Sequence, residues 1–142
     1  GVEHRIEYSG TINGVDYYND SKATNVTSTQ IALSAFKKPT ILLLGGLDRG
    51  HSFEGLTNYM TNVKLIVSFG QTNNRIKEYC DKINVNCIVK ETLREALTCA
   101  HENANTGDVI LLSPACASWD QYKCFEDRGT EFKNIVKELK EN

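Results

Sequence analysis

Two spacings of apolar residues alternate along this chain and predict its elements. Short runs made almost wholly of apolar residues lie at residues 40–44, 63–67 and 109–112, as expected of strands that are buried on both faces of a sheet. Between them, apolar residues recur every three or four positions, which is typical of amphipathic helices. The helices predicted in this way span residues 26–36, 53–60, 74–83, 92–104 and 125–139, and residues 87–89 form a further short strand.

The first twenty residues predict a β-hairpin instead. Two alternating segments, Arg5–Tyr8 and Val15–Tyr18, flank the dipeptide Asn13-Gly14, which favours the type I′ turn of a two-residue hairpin loop. The helix that follows is predicted to begin with a capping box, because Thr27 and Gln30 have the required spacing.

A hairpin followed by alternating helices and strands predicts an α/β fold. The sheet is expected to be mostly parallel with helices on both faces, which is a Rossmann-like, three-layer arrangement with an N-terminal β-hairpin. With 142 residues, the chain is predicted to form one domain, residues 1–142, that buries roughly 68% of its unfolded surface.

Composition excludes several classes of protein. The formal net charge is −2 and no run of Lys or Arg occurs, so we do not expect nucleic acid as the main partner. No apolar run approaches the length of about 18 residues that spans a membrane. The five cysteines are odd in number and contain no C-x-x-C pair, which indicates free thiols in a reducing cytoplasm and neither disulfides nor a zinc site.

Three polar loops follow predicted strands, at residues 20–25, 45–52 and 113–121. Because ligands of parallel sheets gather at the carboxyl ends of the strands, we expect these loops to line one edge and to form a site for a small anionic molecule. Lys22 stands near a helix N-terminus, where a cation opposes the helix dipole unless an anion binds beside it. In a competing interpretation, Asp20 or Ser21 is only a turn residue and Thr24 or Asn25 is the cap of the following helix.

The loop at residues 45–52 comes close to a phosphate-binding loop but lacks its lysine. His51 occupies the lysine position, so we do not expect a true phosphate loop here. Arg49 in the same loop is either a solvated side chain or a planar donor for a carboxylate or phosphate.

Each of the remaining candidate residues also has an interpretation in which its role is purely structural. Ser118 and Gln121 have capping-box spacing, and the first turn of such a helix also leaves N–H groups free for a ligand carboxylate. His4 fits an exposed strand start. No pair of side chains has the arrangement of a catalytic acid and base, so no catalytic residue and no metal ligand are predicted within this chain.

Three segments of this sequence resemble the C-terminal domain of the Mur ligases. They are Asn19–Asn25, Leu43–Gly46 with Asp48–Gly50, and the motif that runs from Leu111 to Phe132; together they cover nearly the whole chain, and they are most similar to the family member that adds D-glutamate. The resemblance implies a bacterial, cytoplasmic, ATP-dependent ligase of peptidoglycan biosynthesis. This ligase joins D-glutamate to UDP-N-acetylmuramoyl-L-alanine through an acyl phosphate.

The resemblance also implies partners and site residues. The UDP-binding and central ATPase domains of the family are absent from this chain, so ATP and Mg²⁺ would be bound mainly by the central domain, and the isolated domain is expected to be inactive. The implied contacts for D-glutamate are Thr24, Arg49, Ser118 and the backbone N–H of Phe125, and the implied nucleotide-facing residues are His4, Arg5, Asp20 and Lys22. Arg49 stands where the family often has lysine, which keeps the charge and changes the geometry of its contact.

Two alternatives stay open from the sequence. The chain could come from a sister Mur ligase or a folylpolyglutamate-type ligase that adds another amino acid. It could also be a non-catalytic α/β module that binds an anionic metabolite, an interpretation that the missing phosphate loop favours.

Overall fold

A six-stranded sheet forms the centre of the computed structural model, which describes residues 2–142. The strands lie in the order β1-β2-β6-β3-β4-β5. Only the pair β1–β2 is antiparallel. Their bounds are β1 Glu7–Ile12, β2 Val15–Asn19, β3 Thr40–Gly45, β4 Val63–Phe69, β5 Cys87–Val89 and β6 Val109–Leu112.

Helices cover both faces of this sheet. They are α1 Val26–Ser34, α2 Asn73–Ile83, α3 Leu93–Asn103 and α4 Phe125–Glu141, with a 3₁₀ helix at Glu54–Tyr59. One apolar cluster joins α3 and α4 to one face, and a second joins α1, α2 and the 3₁₀ helix to the other. Alternate residues of β3 divide between the two, since Ile41 and Leu43 face the first cluster and Leu42 and Leu44 the second. The predicted three-layer α/β fold is therefore confirmed.

The N-terminal hairpin is confirmed with a different start. Asn13 and Gly14 have φ angles of 51° and 77°, as a type I′ turn requires. The first strand begins at Glu7, two residues later than expected, because His4 and Ile6 have φ angles of 65° and 42° that are incompatible with an extended strand.

The predicted capping box at the start of α1 is wrong. Asn25 caps this helix, and its side-chain oxygen accepts a hydrogen bond from the Ser28 N–H. Thr27 lies inside the first turn and the Gln30 amide instead donates to the Gly55 carbonyl at 2.8 Å. Thr92 and Glu95 have the same spacing in the sequence and do form a capping box, at the start of α3. No helix of residues 2–142 is long and apolar enough to cross a membrane.

Candidate functional site

Three loops meet at the carboxyl edge of the sheet, as the sequence predicted. They follow the adjacent strands β2, β6 and β3, and backbone hydrogen bonds join them directly. The Asp20 N–H donates to the Leu112 carbonyl at 2.7 Å, the Gly45 N–H to the Pro114 carbonyl at 3.0 Å, and the Leu47 N–H to the Ala117 carbonyl at 2.9 Å. The loops therefore form one connected surface.

Arg128 of α4 ties two of these loops together from inside. Its side chain is fully buried. The guanidinium donates to the Ser21 carbonyl at 2.6 Å, to the Ser21 hydroxyl at 2.8 Å and to the Cys116 carbonyl at 3.0 Å. Burial lowers the pKa of Arg128 to about 10, which still leaves it charged at neutral pH. From the sequence, no role was assigned to this residue. Its position on the apolar stripe of α4, between Phe125 and Phe132, was the available sign that it would be buried.

Asp20 makes the second cross-link, between the β2–α1 loop and the β6–α4 loop. Its carboxylate accepts hydrogen bonds from the Ser113 hydroxyl at 2.7 Å and from the Ile6 N–H at 3.0 Å. Burial raises its pKa, although both hydrogen bonds and the charge of Arg5 act against that rise. Asp20 thus serves as a structural link as well as lining the cavity described next.

A cavity of about 310 Å³ opens in front of Asp20. The structure brings four of the predicted site residues to its wall, namely Arg5, Asp20, Lys22 and Thr24, together with Asn25 and residues of α1. Arg5 and Lys22 are exposed and Thr24 is half-buried. Two cations and a hydroxyl at the N-terminal end of α1 suit an anionic ligand.

His4 is not the exposed strand start that the sequence suggested. It is buried, and the Asn19 side-chain amide donates to its Nδ1 atom at 2.8 Å. Its backbone carbonyl accepts from the Lys22 N–H at 3.0 Å. The ring lies so close to α4 that a Cβ atom on Gly129 would sit 2.2 Å from Nδ1. His4 therefore supports the cavity from behind.

Ser118 is buried in the β6–α4 loop without a partner for its hydroxyl. The side chain is 2% exposed, and no residue that the structure describes forms a hydrogen bond with its Oγ atom. The predicted capping box with Gln121 is wrong, because α4 begins later, at Phe125, and the Gln121 amide donates to the Glu91 carbonyl at 2.8 Å. The Ser118 hydroxyl is thus a buried polar group without a partner among residues 2–142.

Phe125 and Arg49 contribute different groups to this edge. Phe125 is the first residue of α4, so its N–H belongs to the set that a helix leaves unpaired. Its carbonyl accepts from the Ser21 hydroxyl at 2.7 Å. Arg49 is exposed, and its guanidinium lies over the ring of the exposed Trp119, 4.9 Å from the ring centre. Stacking of this kind orients the guanidinium without consuming its donors.

The loop after β3 does not form a phosphate-binding loop. It leads into a 3₁₀ helix. Four of its backbone N–H groups are already bonded within the protein: Gly46 to the Thr72 hydroxyl, Leu47 to the Ala117 carbonyl, Asp48 to the Gln71 amide and Gly50 to the Asp48 carboxylate. Arg75 of α2 pairs with Asp48 at 2.9 Å and lowers the pKa of that carboxyl. This confirms the expectation drawn from His51.

Comparison with known proteins agrees with this geometry. The family model described as "Mur ligase, glutamate ligase domain" matches residues 4–116. The chain belongs to the Mur ligase family. UDP-N-acetylmuramoylalanine–D-glutamate ligases of Bacillus cereus (strain AH187) and Bacillus anthracis are each 54% identical to it over 140 residues. That match covers 98% of the chain and 31% of each relative, so this Mur ligase domain spans about a third of the length of the curated relatives it matches.

Solved structures share the fold at low sequence identity. A murein peptide ligase from Psychrobacter arcticus superposes with a TM-score of 0.66 at 13% identity, covering 98% of this chain and 29% of that one. A UDP-N-acetylmuramate-alanine ligase from Thermotoga maritima gives 0.65 at 12% identity, over 99% and 31% of the two chains. A folylpolyglutamate synthase from the same organism gives 0.57 at 19% identity, over 81% and 28%. At such identities the likeness establishes the fold alone.

Proposed function

We propose that this chain is the amino-acid-binding domain of an ATP-dependent ligase that joins D-glutamate to UDP-N-acetylmuramoyl-L-alanine. The 54% identity to relatives with the corresponding name, over 98% of the chain, supports this choice of substrate among the Mur ligases. We infer a cytoplasmic location from the same relatives. The other domains of the same protein are the chain's proposed partners.

The unpartnered hydroxyl of Ser118 is the observation that carries the proposal. Leaving a buried hydroxyl without a partner costs about 1–3 kcal/mol, and a ligand that accepts its hydrogen bond recovers this cost. A carboxylate is such a ligand, and the N–H of Phe125 at the start of α4 offers a second donor to it. We assign both groups to the side-chain carboxylate of D-glutamate, with the Thr24 hydroxyl as a third contact.

The cationic groups then divide between the remaining anions. Arg49, held over Trp119, presents its planar donors to a carboxylate of the amino acid. Arg5 and Lys22, beside Asp20 at the cavity, face the phosphates of the nucleotide. His4 keeps this wall in place through its carbonyl contact with Lys22. Thr24 lies in the same cavity, where we expect the amino acid and the transferred phosphoryl group to meet.

The residues of this domain bind and orient but do not carry out the bond-forming step. When bound, ATP with Mg²⁺ supplies the phosphoryl group that activates the substrate carboxylate as an acyl phosphate for attack by the amine of D-glutamate. We assign the Mg²⁺ ligands to the central domain, as the resemblance to the family implies. Closure of this domain over the nucleotide would exclude water from the activated carboxylate.

Phosphate release by the longer protein that carries this chain tests the proposal. The assay contains ATP, Mg²⁺ and UDP-N-acetylmuramoyl-L-alanine, with D-glutamate, L-glutamate, L-lysine or no amino acid. We expect release that depends on D-glutamate alone. Dependence on another amino acid would replace the substrate with that of a sister ligase. If phosphate release depends on none of these amino acids, the proposal is overturned in favour of a non-catalytic anion-binding module.

A further inference from the structure

A second polar groove lies at the opposite edge of the sheet, away from the candidate site. It has a volume of about 760 Å³ and runs between the end of α2 and the starts of β4 and β5. Two cysteines line it, Cys80 near the end of α2 and Cys87 at the first position of β5. The proposed ligase chemistry uses neither of them.

The two cysteines differ in access to solvent. Cys80 is fully buried and belongs to the apolar cluster under α2, whereas Cys87 is half-buried and packs against that same cluster from the groove. The backbone holds them together, because the turn between α2 and β5 closes on a hydrogen bond from the Val85 N–H to the Cys80 carbonyl at 3.0 Å. An accessible thiol and a buried thiol thus line the same groove, on either side of this tight turn.

The surroundings favour the thiolate form of Cys87. Its pKa is lowered to about 7, chiefly by the neighbouring Cys80 thiol; burial opposes this, and Ser68 and the charge of Lys77 add to the lowering. The same contact raises the pKa of Cys80. Asp81 on α2, which raises the pKa of Cys80 further, and Lys64 on β4 are the other charged groups that line the groove.

We propose that Cys87 and Cys80 form a thiol-oxidation site, in which Cys87 reacts with a hydroperoxide and Cys80 resolves the product to a disulfide. The pairing of an accessible thiolate with an adjacent resolving thiol is the arrangement of redox-responsive cysteine pairs. The groove gives a small hydroperoxide access to Cys87, and the burial of Cys80 restricts direct attack on it. Disulfide formation would join the end of α2 to the edge strand β5.

The reaction balances in two steps. The Cys87 thiolate attacks one oxygen of hydrogen peroxide, so that an S–O bond forms, the O–O bond breaks and the departing hydroxide takes a proton to become water. The Cys80 sulfur then attacks the Cys87 sulfenic acid; an S–S bond forms, the S–O bond breaks, and the Cys80 proton leaves with the hydroxide as a second water. Two thiols lose two electrons in total and the peroxide gains them. Dithiothreitol reverses the oxidation by thiol–disulfide exchange.

Peptide mapping after peroxide treatment tests the proposal. Trypsin cleaves after Lys77, Lys82 and Lys90, so the two cysteines fall in separate peptides, residues 78–82 and 83–90. We expect these peptides to become disulfide-linked at low peroxide and to separate again with dithiothreitol. Cys124, which is also half-buried, is the internal control. No linked peptide at peroxide levels that oxidise Cys124 would overturn the proposal.

Two further measurements separate this chemistry from simple exposure. In Cys80→Ala, no linked peptide can form, and dimedone should trap a sulfenic acid on Cys87. The pH profile of Cys87 alkylation by iodoacetamide should rise with a midpoint near 7 and move upward in Cys80→Ala. At pH 7 we expect alkylation roughly fivefold faster than for a thiol of ordinary pKa, since the gain in thiolate is partly offset by lower nucleophilicity. A midpoint near 9 in the unaltered protein would contradict the proposal even if the variant does not fold.

Discussion

The two edges of the sheet place their reactive groups in contrasting ways. At the carboxyl edge, buried side chains form hydrogen bonds that join the loops, and these loops carry the groups proposed to bind the ligand. Arg128 and Asp20 join separate loops, and Ser118, Arg5 and Lys22 are presented on that frame. At the amino edge, the pKa of Cys87 is lowered chiefly by one neighbour, Cys80, with smaller contributions from Ser68 and Lys77. A site for a multiply charged ligand requires several fixed donors, whereas the pKa of one thiol responds to a few groups around it.

This contrast predicts where substitutions are costly. Removing a buried cross-link at the carboxyl edge should lower stability and ligand binding together. Removing Cys80 should change the chemistry of Cys87 and leave ligand binding at the carboxyl edge unaltered.

The largest expected effect follows from Arg128→Met. The Ser21 and Cys116 carbonyls lose their donor in a buried setting, and each unsatisfied group costs about 1–3 kcal/mol. Relief of the buried charge offsets part of this, so we expect a loss of roughly 2–4 kcal/mol in the free energy of unfolding. Urea denaturation measures it. Arg94→Met is the matched control, because Arg94 and its partner Glu138 are both exposed, and it should change stability by less than about 1 kcal/mol. Equal losses in the free energy of unfolding of the two variants would show that Arg128 does not stabilise the loops at the carboxyl edge.

Gly129→Ala should have the next largest effect. Alanine normally favours a helix over glycine by about 1 kcal/mol, but here its Cβ would approach His4 Nδ1 to 2.2 Å. Because His4 is itself buried, we expect a net loss of roughly 1–3 kcal/mol from overpacking. Thr130→Ala, at an exposed position one residue later, controls for the helix itself. A more stable Gly129→Ala variant would mean that His4 moves away freely.

A smaller effect concerns the acid dependence of stability. Burial raises the pKa of Asp20 above its unfolded value, so the native state holds this proton more tightly. Stability should therefore fall as pH rises from the unfolded pKa, about 4, through the raised folded value. Asp20→Asn should remove that part of the pH profile, measured as unfolding midpoints between pH 3 and 7.

Glu7 is the matched acid for this experiment because its shift has the opposite sign. Burial alone would raise its pKa, but hydrogen bonds from the His4 N–H and the Asn19 amide, together with Lys133, lower it. Its stabilising contribution is present above the unfolded pKa and is lost as pH falls through the lowered folded value. Glu7→Gln should therefore remove a loss of stability that occurs as pH falls, whereas Asp20→Asn should remove one that occurs as pH rises. The same change in both variants would contradict the opposite pKa shifts of the two carboxyl groups.

The smallest expected effect belongs to Arg49→Lys. Lysine keeps the charge but loses the planar fork and the stacking on Trp119. We expect a rise of a few fold in the KM for D-glutamate with little change in the KM for ATP, measured in the longer protein. Arg49→Ala should raise the D-glutamate KM further. An unchanged D-glutamate KM in Arg49→Ala would remove this side chain from the site.

The sequence predicted the fold better than the details of the site. The apolar runs of β3, β4 and β6 require strands buried on both faces, and a sheet covered by helices on both sides meets that requirement. The same strand assignments also predicted that the three loops lie at one edge of the sheet. Capping was less certain, because Asn25 and Thr27 compete within one turn and only the approach of the chain decides between them. The folded structure selects Asn25.

Two residues show what local pattern cannot convey. Arg128 is a charge on the apolar face of α4, and its partners Ser21 and Cys116 lie in loops more than a hundred and about a dozen residues away in sequence. His4 is buried through a left-handed turn that brings it against Asn19 and Gly129. Both depend on contacts that exist only after β2, β6 and α4 have packed together.

The most direct test of the central account is the D-glutamate KM of Ser118→Ala in the longer protein. A hydrogen bond to a charged group contributes about 1.5–3 kcal/mol, so we predict a rise of roughly tenfold or more in the KM for D-glutamate with the KM for ATP nearly unchanged. Ser34→Ala, on the exposed face of α1, is the control and should alter neither. A Ser118→Ala enzyme with an unaltered KM for D-glutamate would contradict the assignment of the carboxyl edge as the amino-acid site.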